Sequence, residues 1–459
     1  MENVAPCWGE CRVDHDYQYL LRLAPVVVIR RVMSGDVGAG VPETSYLGAG
    51  RGGGCTWIWG YNHGARQMGL KFLHIGMVAV LFLIYLISGR GVYTRHDFFV
   101  PLASSFWQGK TYVSEMRYEL HEMVTELEVK TGVVQEPLDG EVGKFYVIYP
   151  PMPAVVLMPF VAIWGQQTNQ SVVSALIAAL GVLVAYRVFK QLNLKTDQLW
   201  WLTLLYGFGS MLWYHAVVGS AWYFAHVCAL LFLWLAILAV LKKKSWWLVG
   251  MWLGLAYLSR FAVILTLPFF IYLRRVEWKS SWKLLTTLGI FVCASLVYNW
   301  VRYGTIGNYG YWLLEHRWYN LANEYINGSY DWSYAPRHLY ALFASMPSMR
   351  ATFPYLVPNM TSMALWVVFP ALAIVPLASL KNKLVQASWL ASISVVPAHF
   401  FHGGVGASQF GYRYALDYLP FLLIIIAVAV KEKFVWWQKG LIIFSIMVNA
   451  WGIYANFWQ

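Results

Sequence analysis

From Tyr223 to Leu241 the chain runs through nineteen residues whose only strongly polar side chain is His226, and Lys242-Lys243-Lys244 follow at once. About 20 such residues in a helix cross the hydrocarbon layer of a bilayer, and a helix closes all its backbone hydrogen bonds within itself, as lipid requires. Comparable runs lie near 71–88, 170–189, 199–216, 246–259, 260–273, 282–300, 361–380, 385–401, 414–430 and 436–454. The mean hydropathy of +0.50 and a charged fraction of 12%, against about 25% in soluble domains, agree with this reading. The expected class is an all-α polytopic membrane protein of about 11 transmembrane helices, with further juxtamembrane helices and loops.

Cations give the orientation. Arg187, Lys190 and Lys195, then Lys242 to Lys244, Arg274, Arg275 and Lys279, Lys381 and Lys383, and Lys431 and Lys433 fall at every second gap between runs. Short loops rich in Lys and Arg stay cytoplasmic. The N-terminus is therefore expected inside the plasma (inner) membrane, with segments 89–150 and 301–360 and the 402–413 turn on the outer face. The net charge of +12 is a topological signal and implies no nucleic-acid partner. Residues 1–67 read as a poorly structured cytoplasmic extension, or a misassigned start with Met68 as initiator, ahead of a membrane domain over 68–459. Val26 to Ile29 is too short to span, and no cleavable-signal pattern precedes it. Cys7, Cys11 and Cys55 there, with Cys228 and Cys293 inside apolar runs, make no disulfide framework and no metal set.

The segment after the first run carries nine of the 22 acidic residues. Val113, Met116, Leu120, Val124 and Leu127 recur at helical spacing beside a stripe of Glu115, Glu119, Glu122 and Glu126, which predicts a surface helix with a solvated acidic face. Tyr149-Pro150-Pro151-Met152-Pro153 cannot sit wholly inside a regular helix, and 154–164 reads as a short re-entrant or surface helix. In the second outer segment Glu315, Glu324 and Asp331, with Trp312, Trp318 and Trp332, are residue types of an acceptor cleft; with 25 tryptophans in the chain, an interfacial belt is the plainer reading of the aromatics.

Five pieces in this order resemble the integral-membrane glycosyltransferases of the GT-C superfamily, which include the protein mannosyltransferases and the lipid A aminoarabinose transferases. They are Asp97 early in the first outer loop; Gly143-Lys144-Phe145-Tyr146 before the proline motif; Leu258-Ser259-Arg260-Phe261; Tyr298-Asn299-Trp300-Val301-Arg302-Tyr303-Gly304; and Phe410-Gly411-Tyr412-Arg413-Tyr414. The resemblance covers about 71–454. It implies an inverting transfer of a sugar from a polyprenyl-phosphate carrier to a glycan, lipid or protein acceptor on the outer face. Asp97 matches the family's catalytic aspartate, although His96 and Phe98 stand where many relatives carry a second acid. Such a transfer needs a general base at the acceptor hydroxyl and cations at the leaving phosphate. Arg413, Arg260 and Lys144 are the candidates for the phosphate, and His96, Tyr149, Pro150, Pro151, His226, Arg302 and His402 for the surrounding pocket. The competing readings are plain ones: Asp97 as a helix N-cap or a partner of Arg95, and Arg413 paired with Asp417 four residues on.

No phosphate-cradling Gly-rich loop or nucleophile elbow occurs, which disfavours a cytosolic nucleotide-sugar donor. No cofactor and no metal site are expected, and a need for a divalent cation is left open. A secondary transporter, or an inactive relative that binds a lipid-linked glycan or scaffolds an envelope complex, are the alternatives.

Overall fold

The computed structural model describes residues 63–91, 96–116, 122–134, 140–322, 325–406 and 408–458. The expectations for residues 1–62, with Cys7, Cys11 and Cys55, and for Arg95, Glu119, Leu120 and Glu324 lie outside them, as does the Trp318 side chain. The chain divides into two compact units, Met1–Gly76 and Met77–Gln459. Helix α1 spans His63–Gly89, α2 Phe99–Trp107, α3 Glu126–Thr131, α4 Met152–Trp164, α5 Gln170–Gln191, α6 Thr196–Phe208, α7 Leu212–Val218, α8 Ala221–Leu241, α9 Trp246–Ser259, α10 Leu267–Leu273 and α11 Trp282–Tyr303. There follow α12 Tyr309–Ala322, α13 Ala335–Leu339, α14 Leu365–Val368, α15 Lys383–Phe400, α16 Leu419–Glu432 and α17 Trp436–Phe457.

Among the described residues, five helices are long and apolar enough to cross a membrane: α1 over Phe72–Gly89, α5, α8, α11 and α17. The count of about 11 is not met by helices of this kind. The expected span at 199–216 is split into α6 and α7 around Gly209 and Ser210. At 260–273 a 3-10 turn, Phe261–Thr266, precedes α10, and at 361–380 the 3-10 segment Pro370–Leu377 follows the short α14. The runs at 246–259 and 414–430 give α9 and α16, each of 14 residues. A 14-residue helix rises only about 21 Å, short of the roughly 30 Å of hydrocarbon. Gly209 caps the end of α6, and Pro370, without an N–H, stands just past α14.

Backbone groups freed by the breaks find side-chain partners. Ser445 Oγ accepts from Ala371 N at 3.0 Å, Asn449 Nδ2 donates to Val368 O at 2.8 Å, and Gln198 Nε2 donates to Val430 O at 2.7 Å. All three side chains are buried, and irregular backbone at this depth survives only where protein satisfies it. In α16 every residue from Leu419 to Val430 is buried. By contrast α11 and α17 turn Val297, Trp300, Val301, Phe444 and Met447 outward, each more than half exposed. That surface is costly in water and neutral against acyl chains. Basic turns meet at the ends: Lys431 Nζ donates to Leu192 O at 2.8 Å and Arg274 Nη1 to Lys244 O at 2.6 Å.

The acidic segment departs from the expected surface helix. Strands β1 (Val113–Glu115), β2 (Val124–Thr125) and β3 (Val142–Tyr146) form an antiparallel sheet in the order β1-β3-β2, with Val113 opposite Phe145 and Val124 opposite Tyr146. A second, two-stranded pairing joins β4 (Ser348–Met349) to β5 (Leu356–Val357). The helix begins only at Glu126, where Thr125 Oγ1 accepts from Glu128 N and Glu128 returns a bond to Thr125 N. Glu122 and Glu128, two acids from this segment, are buried rather than solvated. Cross-strand pairing and burial override the periodicity, because β3, whose Phe145 pairs with both strands, is supplied from farther along the chain. The predicted helix over 154–164 is present as α4.

Helices α9 and α11 meet through Gly250-Met251-Trp252-Leu253-Gly254, a spacing that brings backbones close. A Cβ on Gly254 would lie 2.1 Å from Phe291 Cδ2, and one on Gly250 2.9 Å from Leu284 O. Gly254→Val is therefore expected to destabilise by about 1–3 kcal/mol through overpacking. The check is the thermal-unfolding midpoint in detergent, with Gly440→Ala, whose Cβ would meet nothing within 4 Å, as the unchanged control.

Candidate active site

Asp417 organises the ends of four elements. It closes the 3-10 turn Arg413–Asp417 that leads into α16. Arg260, just past α9, grips it with Nε to Oδ1 at 2.8 Å and Nη2 to Oδ2 at 3.0 Å. His399 Nε2 from α15 lies 3.0 Å from Oδ2, and His226 Nδ1 from α8 lies 3.2 Å from Oδ1. Asp417 is thus the partner of Arg260 and not of Arg413. The i,i+4 pairing expected from an α-helix fails because a 3-10 turn repeats every three residues, which rotates the fourth neighbour about 120° away. Although two histidines converge on this carboxylate, no set of three or more metal-ligating side chains is arranged for a metal among the described residues.

Arg413 is left to a cavity of about 560 Å³. It is 9% exposed, and among the described residues no carboxylate lies within ion-pair distance of it. Its guanidinium carbon lies 5.9 Å from the ring centroids of both Trp222 and Tyr223 and 5.5 Å from that of Tyr414, and Nε has no hydrogen-bond partner. Gly406 makes room: its φ is +95°, and a Cβ there would come within 3.0 Å of the guanidinium carbon.

Two carboxylates share the cavity wall. Glu122 accepts a hydrogen bond from Tyr149 Oη, which in turn accepts from Trp222 Nε1 at 2.7 Å. Burial pushes the Glu122 carboxyl up to about 7, against the Tyr149 bond and the charges of Arg413 and Arg317, which pull it down. Glu315 on α12 accepts from Ser329 Oγ, and burial likewise raises it to about 7. Both are poised to exchange a proton near neutrality.

The parts that hold Glu122 and Tyr149 come from α11, α12 and the turn between them. Arg302 is buried; it donates through Nη1 to Val147 O, through Nη2 to Asn299 Oδ1 at 2.8 Å, and sits 3.8 Å from the Tyr298 ring centroid. Asn308 Nδ2 donates to Ile148 O at 3.0 Å. These bonds fix the strand exit immediately before Tyr149. Arg317 Nη2 meets Glu128 at 2.6 Å and Nη1 donates to Met123 O at 3.4 Å, pinning the residues beside Glu122.

Of the residues singled out from sequence, His96, Tyr149, Glu315 and Arg413 line the cavity, as does Glu122 of the acidic stripe. The His96 carbonyl accepts from Ala221 N at 2.8 Å, and its ring centroid lies 4.8 Å from that of Trp222 with the planes tilted by 49°. Asp97, beside it, is buried but is not in the lining. It is no N-cap either: Phe98 holds that position before α2, without a side-chain cap bond. His402 flanks the lining, with Nε2 3.0 Å from Tyr311 Oη, while Arg302 acts through Val147 and His226 through Asp417. Pro150 and Pro151 form the entry to α4. Lys144 lies on β3, half-exposed, 3.1 Å from Glu126 Oε1 and outside the lining. Glu122 was hidden in the acidic stripe; Trp222 and Tyr223 were hidden in an apolar run, where no local pattern separates a cavity wall from core.

A scan against protein-family models matches none, and a search among curated proteins returns no relative. Among solved structures, the chain is similar to the crystal structure of ArnT from Cupriavidus metallidurans bound to undecaprenyl phosphate, with 13% identity and a TM-score of 0.41. The match covers 80% of this chain and 61% of that one, so the chain spans about three fifths of that protein's length.

Because Asp417 is enclosed, Arg260→Ala strands a buried carboxylate and is expected to cost about 3–5 kcal/mol. Arg413→Ala strands none and lowers stability far less. Thermal-unfolding midpoints of the two variants in detergent decide it, and equal losses would contradict the assignment of Arg260 to structure and Arg413 to the cavity.

Proposed function

We propose that this chain is an integral-membrane glycosyltransferase that moves a sugar from a polyprenyl-phosphate donor to an acceptor hydroxyl with inversion, at the extracytoplasmic face. The observation that carries the reading is the buried Arg413 guanidinium, without a carboxylate partner among the described residues and open to a cavity that also holds an ionisable carboxylate, Glu122. A fixed cation at such a depth suits a lipid phosphate, whose two oxygens a guanidinium grips together.

In the transfer, the acceptor hydroxyl loses its proton to the base as its oxygen attacks the anomeric carbon. The bond from that carbon to the phosphate oxygen breaks, and the electron pair leaves with the lipid phosphate, where Arg413 stabilises the added charge. Trp222, Tyr223 and Tyr414 around the guanidinium exclude water and strengthen that interaction. Glu122 is the base that the cavity supports best, since Tyr149 orients it and burial raises its basicity. Asp97, the base implied by family resemblance, sits one residue from the cavity wall, and Asp97→Asn is the companion variant. Arg260 and Lys144 are not used at the phosphate in this reading.

The broken helices around Phe261–Thr266 and Pro370–Leu377 are the feature a transporter would share. Chemistry separates the two: a transporter releases no lipid phosphate.

Incubation of the purified protein with a panel of polyprenyl-phosphate sugars, read by mass spectrometry for free lipid phosphate, is expected to show release that Arg413→Ala lowers by about 10²–10³-fold. The base must be deprotonated, so the rate rises with pH through about 7 and flattens above it. Glu122→Gln removes the activity, while loss of the profile in Glu315→Gln instead would move the base to Glu315. Release abolished by Asp97→Asn but not by Glu122→Gln would return the role to Asp97, and no release with any donor would reject the enzyme.

A further inference from the structure

One buried carboxyl group in the cavity is not used by the transfer just described. Glu315 is 3% exposed and lines the wall; its Oε2 accepts from Ser329 Oγ, but its Oε1 has no hydrogen-bond partner. A buried carboxylate oxygen left unmet costs free energy that a protein recovers only when something donates to it. The groups around it differ from those around Glu122. They are Ser329 and Tyr330 from the chain after α12, and Tyr311 one helical turn before Glu315, whose Oη is held 3.0 Å from His402 Nε2.

The walls say what kind of donor fits. Six tyrosines and Trp222 face the cavity, against three aliphatic side chains, Val218, Leu314 and Met360. An acyl chain wants the opposite ratio. A polyhydroxylated ring fits this one: aromatic faces pack against its C–H surface while carboxylate and phenol groups meet its hydroxyls. The volume of about 560 Å³ falls within the range of pockets that enclose a ligand larger than one small polar group.

We infer that Glu315 is the anchor of a saccharide subsite, and that the acceptor of this protein is a carbohydrate, held by a hydroxyl donating to Glu315 Oε1 and by the Tyr311 ring. This rests on the glycosyltransferase reading, in which Arg413 holds the donor. Glu315 is then a binding residue for the acceptor, separate from the proton transfer at Glu122.

The test is saturation-transfer NMR on the full chain in detergent with three probes: methyl glycosides of several hexoses and pentoses, N-acetylserine methylamide as a peptide mimic, and a short-chain diacylglycerol as a lipid hydroxyl. Binding of a synthetic polyprenyl phosphate is measured separately by displacement of a fluorescent analogue. The expected result is saturation of one or more glycosides, weakened about ten-fold or more in Glu315→Ala, the size of one lost charged hydrogen bond, with the polyprenyl phosphate still bound. Glu315→Gln, which keeps the shape, serves if the alanine variant does not fold; it too is expected to weaken the glycoside. No glycoside signal in the wild type, a signal unchanged in both variants, or a Glu315-dependent signal from the serine or glycerol probe instead would overturn the subsite while phosphate binding stands. Failure of the polyprenyl phosphate to bind the wild type would reject the Arg413 reading instead.

Discussion

Asp417 is the residue on which the arrangement turns. A carboxylate cannot stay charged in an apolar interior without close partners, and this one takes a bidentate guanidinium from Arg260 and two imidazoles from His226 and His399. Those partners sit on α8, at the end of α9 and on α15, so a single charge holds four elements in register. Four residues earlier in the same 3-10 turn stands Arg413. Its position follows from the anchoring of Asp417, and the 3-10 geometry turns it about 120° away from that carboxylate and toward the cavity.

The second constraint is the backbone itself. Lipid offers no hydrogen bonds, so every break in a helix must be met by protein. Gln198, Ser445 and Asn449 do so for the segments around α14, Pro370–Leu377 and the end of α16. The sheet and turns of the acidic segment are fastened by Arg302 to the exit of β3 and by Arg317 to Glu128 and Met123. These bonds hold the residues on either side of the hydrogen-bonded line of Glu122, Tyr149 and Trp222.

The membrane class and the helices over 170–191, 221–241, 282–303 and 436–457 were legible because a long apolar run has few other solutions. The basic turns were legible for the same kind of reason: Lys and Arg avoid hydrocarbon. His96, Tyr149 and Arg413 were picked from their motifs and do line one cavity. Less visible were the breaks, since a run such as 361–380 has the composition of a span and only its prolines hint otherwise. The acidic segment misled most. Its spacing of Val, Met and Leu with Glu suits a helix, yet β3, supplied from farther along the chain, captures it as a sheet.

What the sequence determined alone was solvent and period: which stretches must leave water, how long they are, and where charge must stop. What only tertiary structure decided was partnership. Whether Asp417 neutralises Arg413 or Arg260, and whether Glu122 lies in water or against Tyr149, depends on which side chains the packed helices bring within about 3 Å. Electrostatic and hydrogen-bond energies change steeply over that distance and with burial, and a linear pattern carries neither quantity.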